Sequence, residues 1–291
     1  MKVSRNALYG SLLLLPAAVL LWTFTYQPIL ATILDSFWST PRGKRPSHWV
    51  GLEHYRTMAA DPIFWKALSN NAIYALATIP LSMALALGMA LLVHAKVRGQ
   101  TWVRMAYFTP TVLPMVAVAN IWMFFYAPDY GLIDQFLRPF GLGGRNLIGS
   151  PDTALGALIV ITIWKEAGFF MIFYLAALQQ ISPALLEAAQ IEGASYGAQL
   201  RRVILPLLMP TTLFVSINAV IGAFRLVDHV VAMTKGGPDN ATMLLLYYIY
   251  QVGFSFWDTG YAAALTVVLL VFLMLIALFQ FGYADKRVHY R

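Results

Sequence analysis

The sequence predicts an all-α membrane protein with six transmembrane helices, and three observations carry that reading. The hydrophobic fraction is 59%, the charged fraction 11% and the mean hydropathy +0.66, whereas soluble domains run near 45–50% apolar and about 25% charged. Six apolar runs reach the roughly 17–25 residues that a helical crossing needs. The excess of basic residues gathers in the connections of one side only. The absence of cysteine removes disulfides, thiolate metal sites and cysteine nucleophiles.

The first run, 7–34, follows Lys2 and Arg5. A secretory signal is the alternative, but such an apolar core covers about 7–15 residues before an A-x-A-like site. This run is much longer and no such site closes it cleanly, so a retained helix is expected. The connection 35–66 mixes Pro41, Gly43, Pro46 and Pro62 with Trp38, Trp49, Tyr55 and Trp65, rings that suit the membrane–water boundary. Further spans are expected at 67–94, 105–126, 154–178, 207–232 and 260–284. "MTKGGPDNAT" reads as a turn, because Gly236-Gly237-Pro238 cannot continue a helix. The expected organisation is a first helix with its outer loop over 1–66, a core of helices two to six over 67–284, and a tail over 285–291.

Six helices put both termini on one side. That side holds Lys2, Arg5, Lys96, Arg98, Arg104, Arg201, Arg202, Lys286, Arg287 and Arg291 against Glu187, Glu192 and Asp285. The opposite segments (35–66, 127–153 and 233–259) carry eight basic and eight acidic residues. The positive-inside rule makes the first side cytoplasmic. The sequence pI near 9.6 therefore reports orientation in a membrane and not nucleic-acid binding.

Only one cytoplasmic connection, 179–206, is long enough to form a substructure. Its stretch "EAAQIEGASYGAQLRRVILPLLMP" (187–210) is small, charged and turn-containing between two apolar runs. Ser182 is an N-cap residue type and Pro183 fits the first helical position. A helix over 184–192 would then stop at Gly193 through a left-handed turn. A second short helix is expected over 195–203 before Pro206 opens the next span. Ala188 and Ala189 leave a low surface for close approach by another protein, and Glu187, Glu192, Arg201 and Arg202 can fix its register. The segment reads as a rigid docking element.

Glu187-Ala188-Ala189, then Gly193, then Val203-Ile204-Leu205-Pro206 resembles the EAA loop of binding-protein-dependent ABC importer permeases. Valine at 203 departs mildly from the isoleucine usual there. "IWKEAGFFMIFYLAALQQISPALLEAAQIEGA", "TKGGPDNAT", "YYIYQVGF", "GYAAALTVV", "KRVHY" and "VGLEHYRTMAADPIFWKALSNN" are similar to the carbohydrate branch, the relatives of the maltose and glycerol-3-phosphate permeases. The resemblance covers nearly the whole chain. It implies the ABC importer permease fold with a cytoplasmic coupling helix, the ATPase-coupling residues being Glu187, Ala188, Ala189, Gly193, Leu205 and Pro206. It implies as partners a second homologous permease, two cytoplasmic ABC ATPase subunits and a periplasmic or lipid-anchored solute-binding protein. It also implies a multi-pass protein of the bacterial inner membrane with no cofactor of its own, ATP being bound by the partner subunits.

Other constellations carry less. "GASYG" (193–197) spells a nucleophile elbow, but that motif needs a preceding strand and an aspartate–histidine pair. His48, His54, His94, His229 and His289 are scattered. No G-x-x-x-x-G-K-[ST] and no H-E-x-x-H occurs, so catalysis by this chain is not expected. Asn240-Ala241-Thr242 spells a glycosylation sequon, a pattern common by chance.

Charge inside a span is expensive and usually functional. Lys165 and Glu166 lie roughly 18 Å into helix four at about 1.5 Å per residue. Being adjacent, they point about 100° apart, so each needs its own partner or a hydrated cavity. Arg225 and Asp228 are expected to share one face of helix five at i, i+3 spacing. Together with Trp164 these four are the expected lining of a translocation path, with an interfacial ion pair that steadies the fold as the alternative for Arg225 and Asp228. Trp122, Phe125 and Tyr126 are further ring faces, or packing and interface belt. A phosphorylated solute such as glycerol-3-phosphate would use Lys165, the one deep lysine. A neutral sugar would use Trp164, Glu166 and Asp228. An ion-coupled secondary transporter is the alternative function, but the inverted repeats such proteins often carry are not found here. An integral membrane enzyme would need a convergent catalytic set, which is also missing.

Overall fold

The computed structural model describes residues 5–41, 43, 45–95, 99–141 and 143–285. Lys2, Lys96, Arg98, Lys286, Arg287 and Arg291, all used in the charge asymmetry, lie outside the described residues, as does most of the predicted tail. Among the described residues the regular structure is helical.

Five helical stretches are long and apolar enough to cross a membrane: α1 (Leu12–Asp35), α3 (Pro62–His94), α7 (Ala154–Gln179), the pair within Met209–Met233, and Thr259–Gln280. The short α2 (Glu53–Ala60) precedes α3. The predicted third span is not one helix. It is α4 (Gln100–Val112) and α5 (Met115–Phe125), bent by 104°. The cause is local. Leu113 precedes Pro114 and is driven out of the helical region, to φ −74 and ψ 135.

A second correction concerns helix five. It is α10 (Met209–Arg225) followed by α11 (Asp228–Met233), with Leu226 extended at φ −76 and ψ 109. Arg225 and Asp228 therefore stand on either side of a break, and the shared face expected from i, i+3 spacing does not exist. Nor does Pro206 open this span. Helical backbone already runs from Tyr196 through a π-helical turn at Leu200–Ile204, and α10 starts after a kink at Leu208, with Pro210 in its first turn.

The chain divides into two compact units, one of residues 1–61 with 249–272 and one of 62–248 with 273–291. In the larger unit, α3 packs along α7. Ala86 and Ala90 of α3 and Ala167, Met171, Leu175 and Leu178 of α7 are buried in one apolar cluster. Small side chains let spanning helices approach closely. Gly168 shows why: a Cβ there would run into the Tyr107 carbonyl and the Thr111 hydroxyl of α4.

In the smaller unit, the segment after α1 folds back on itself. The Ser39 N–H donates to the His48 carbonyl at 2.8 Å and the Val50 N–H to the Phe37 carbonyl at 2.9 Å. Trp49 stacks on Phe37 and meets Trp38 edge-on, with centroids 5.5 and 5.9 Å apart. The start of α13 (Thr259–Asp285) is tied to this segment. The Thr40 hydroxyl donates to Asp258 at 2.6 Å and accepts from the Gly260 N–H at 2.8 Å.

Candidate functional site

Three consecutive residues of α7 face three different neighbours. Successive helical residues turn by about 100°, and here the turn distributes unlike chemistry. Trp164 meets Trp122 of α5 with centroids 5.6 Å apart. The Lys165 ammonium donates to the carbonyls of Pro110, Thr111 and Leu113 at 3.1, 3.3 and 2.7 Å. Glu166 lines a cavity of about 10 Å3 with Thr78, Ser82 and Thr162, room for about one water.

The Lys165 contacts follow from the break in span three. In an unbroken helix the Pro110 carbonyl would accept from the N–H of residue 114, but Pro114 has none. The bend removes the partners of the neighbouring carbonyls as well. A cation at a helix C-terminus also meets the negative end of the helix dipole. Lys165 is buried, and an ammonium has three donors. All three are matched.

The break in helix five has its own polar support. The Asn71 amide donates to the Ala223 carbonyl at 3.2 Å and accepts from the Leu245 N–H at 3.1 Å. Its neighbour Asn70 donates to the carbonyls of Asn240 and Met243 at 2.8 and 3.0 Å. That fastens the predicted turn, where Lys235, Gly236, Asp239 and Asn240 all have positive φ. Just past the break, His229 of α11 lies 3.1 Å from the Tyr74 hydroxyl, which also bonds Thr162 at 2.6 Å. His229 is fully buried and its Nδ1 has no partner. Leu226 reaches the Glu166 cavity, while Arg225 and Asp228 are exposed. No ion pair joins those two among the described residues.

Sequence reasoning missed Asn71, Tyr74 and His229. A signal was present: Asn70, Tyr74, Thr78 and Ser82 recur every fourth residue of an otherwise apolar span, a polar stripe along one face. Trp122 also lies 5.8 Å from Phe125 and 5.3 Å from Tyr126.

The predicted docking segment forms α8 (Pro183–Ile191). Ser182 occupies the N-cap position with an extended backbone, though its hydroxyl makes no capping bond. Gly193 has φ +79. The Gly193 N–H donates to the Gln190 carbonyl and the Ala194 N–H to the Ala189 carbonyl, both at 2.9 Å, which closes the helix as a left-handed stop does. Ser195 then caps α9 (Tyr196–Gln199), accepting from the Ala198 N–H. Glu187, Ala188 and Ala189 are solvent-facing or half-buried, and Ile191 is 88% exposed.

A family model described as "Binding-protein-dependent transport system inner membrane component" matches residues 56–290. The sulfoquinovosyl glycerol transport system permease protein of Agrobacterium fabrum is 34% identical over 91% of this chain and 86% of its own length. The sn-glycerol-3-phosphate transport system permease protein of Brucella abortus biovar 1 is 30% identical over 98% of this chain and 97% of its own. A chain of a bacterial ABC transporter that imports the acidic polysaccharide alginate shares the fold with a TM-score of 0.85 at 24% identity, covering 99% of this chain and 98% of that one.

Proposed function

Since this chain belongs to the family of binding-protein-dependent transport system inner membrane components, we propose that it is the permease subunit of an ATP-driven ABC importer for a neutral sugar or polyol. The observation that carries the reading is the short exposed helix α8, stopped by Gly193 at φ +79. A rigid element held between two spans transmits force, where a flexible loop would absorb it.

In this reading a second homologous permease completes the path, and two cytoplasmic ATPases bind and hydrolyse ATP. A binding protein delivers the solute from outside, and both termini are cytoplasmic. ATPase closure moves α8 through Glu187, Ala188 and Ala189. Gly193, Leu205 and Pro206 pass that motion to the spans. Glu166, with Thr162 on the same helix and Thr78 and Ser82 on α3, forms the polar lining. Arg225 and Asp228 flank the break above it, and Trp164 offers a ring face.

The engagement of Lys165 bears on the solute. Its three donors are taken by carbonyls, so the one deep lysine is not free for a phosphate. That favours a neutral hydroxylated solute over glycerol-3-phosphate. The solutes in two relatives' names, sulfoquinovosyl glycerol and sn-glycerol-3-phosphate, are hydroxylated but anionic, so they support the polyol class while its neutrality rests on the engaged Lys165 alone.

The test is uptake of labelled sugars by proteoliposomes. Transport should require the ATPase subunits and ATP. Accumulation by this chain alone, driven by an ion gradient, would overturn the proposal in favour of a secondary transporter.

A further inference from the structure

Two cavities in the smaller unit share Ser39 as a common wall. The first, about 420 Å3, is polar and is lined by Arg45, His48, Glu53, His54, Asp258 and Tyr261 among others. The second, about 570 Å3, is mixed: Leu34, Trp38 and Pro41 line it together with Asp35, Ser39, Ser47, Thr259 and Gly260. Both lie where spans end: α1 stops at Asp35 and the span of α13 begins at Thr259. Head groups lie where spans end, and the second cavity, which shares Ser39 with the first, includes Leu34, 61% exposed on α1.

The polar cavity is built in advance. The segment that forms it is folded back by the Ser39–His48 and Val50–Phe37 backbone bonds. Thr40 and the Tyr261 N–H fix the Asp258 carboxylate at 2.6 and 3.2 Å. Gly260, which lines the second cavity, lets the start of α13 pack against this segment, since a Cβ there would strike the Trp38 carbonyl and His54. His54 Nε2 is engaged with the Trp38 carbonyl at 3.1 Å and His48 Nδ1 with Ser39 at 2.8 Å. Arg45 and Glu53, of opposite sign, have no partner among the described residues.

Other ligands fit less well. No group of three His, Asp or Glu among the described residues is placed to hold a metal ion. A free sugar would want an open ring face to stack on, yet the one ring besides the histidines in the polar cavity is Tyr261, which His54 already meets with centroids 6.2 Å apart. A ligand carrying both charges meets both unpaired residues.

We propose that the paired cavities bind one phospholipid with a zwitterionic aminophosphate head group. Its phosphate sits against Arg45 and His48, its ammonium against Glu53, and an acyl chain leaves along Leu34 and Trp38. The proposal needs only that α1 and α13 cross the membrane. It does not depend on which solute is carried, so its failure would leave the importer reading intact.

The experiment is native mass spectrometry of the full chain after mild delipidation, with phosphatidylethanolamine, phosphatidylglycerol or free phosphoethanolamine supplied as probes. The wild type should retain one phosphatidylethanolamine, on the order of fivefold more occupied than phosphatidylglycerol. Arg45→Ala and Glu53→Gln, both exposed positions, should each reduce retention by about fivefold, the scale of one charge contact at a membrane surface. Equal retention of both lipids, or retention unchanged in both variants, would overturn the proposal. Displacement of the lipid by free phosphoethanolamine at equal concentration would also overturn it, by showing that the second cavity holds no chain.

Discussion

The Lys165 ammonium donates to the Leu113 carbonyl at 2.7 Å, from the middle of one spanning helix to the break in another. The contact joins a buried charge to a bent helix, and each accounts for the other. A charge at mid-span costs on the order of 2.5–3.5 kcal/mol on insertion scales. Bare carbonyls in hydrocarbon are also costly. Paired, the two penalties offset.

Lys165→Met should therefore act on folding. Three carbonyls lose their donor, and leaving one buried acceptor unsatisfied costs about 1–3 kcal/mol. The expected result is a clearly lower unfolding midpoint and less monodisperse protein by fluorescence size-exclusion. A normal midpoint with abolished uptake would move Lys165 to the solute path instead.

Glu166→Gln should behave differently, although it is the next residue. Its side chain borders a cavity and not a helix end. The variant should assemble and keep basal ATPase activity, yet lose most solute uptake. Wild-type uptake would remove Glu166 from the proposed lining.

Gly193→Val tests the coupling element. Nothing lies within 4 Å of a Cβ placed there, so the penalty is one of backbone conformation alone, about 1–2 kcal/mol for a non-glycine residue in the left-handed region. Insertion should be preserved and ATP hydrolysis should continue without uptake. Gly193→Asn should retain substantial transport, because asparagine tolerates this conformation. Full transport by the valine variant would show that the turn does not carry coupling.

Asn71→Ala removes the amide that ties the helix end before the break, at Ala223, to the Leu245 N–H. Loss of stability on the order of 2 kcal/mol is expected, with faster hydrogen exchange around 223–228 and 245. Unchanged exchange there would mean the break is held by packing.

Asp134 provides a pH signature. On the short helix α6 (Leu132–Leu137), its carboxylate accepts from the Gly144 N–H and from Arg138. The Gly144 bond first, and the Arg138 contact after it, hold its pKa below the ordinary value, which is about 4. A carboxylate lowered by folding stabilises the loop fully above the ordinary carboxylate pKa. That contribution fades as the pH falls through it toward the lowered value. Protection over 129–144, hydrogen exchange taken relative to the intrinsic rate at each pH, should therefore fall on acidification in the wild type. In Asp134→Asn it should be low already at neutral pH and respond little.

The sequence by itself determined what depends on neighbours along the chain. Apolar runs, the Pro183 start and the Gly193 stop are local, and local backbone preferences decided them in place. The Leu113-Pro114 break was equally local and could have been read from the residue-before-proline rule. The tertiary structure alone decided which group each intramembrane polar residue meets. Lys165 reaches carbonyls more than fifty residues away, and Asn71 meets Ala223 and Leu245, 152 and 174 positions distant. No proline or glycine marks Leu226. In hydrocarbon a polar group must find its partner inside the protein, and that partner is set by which helices pack together.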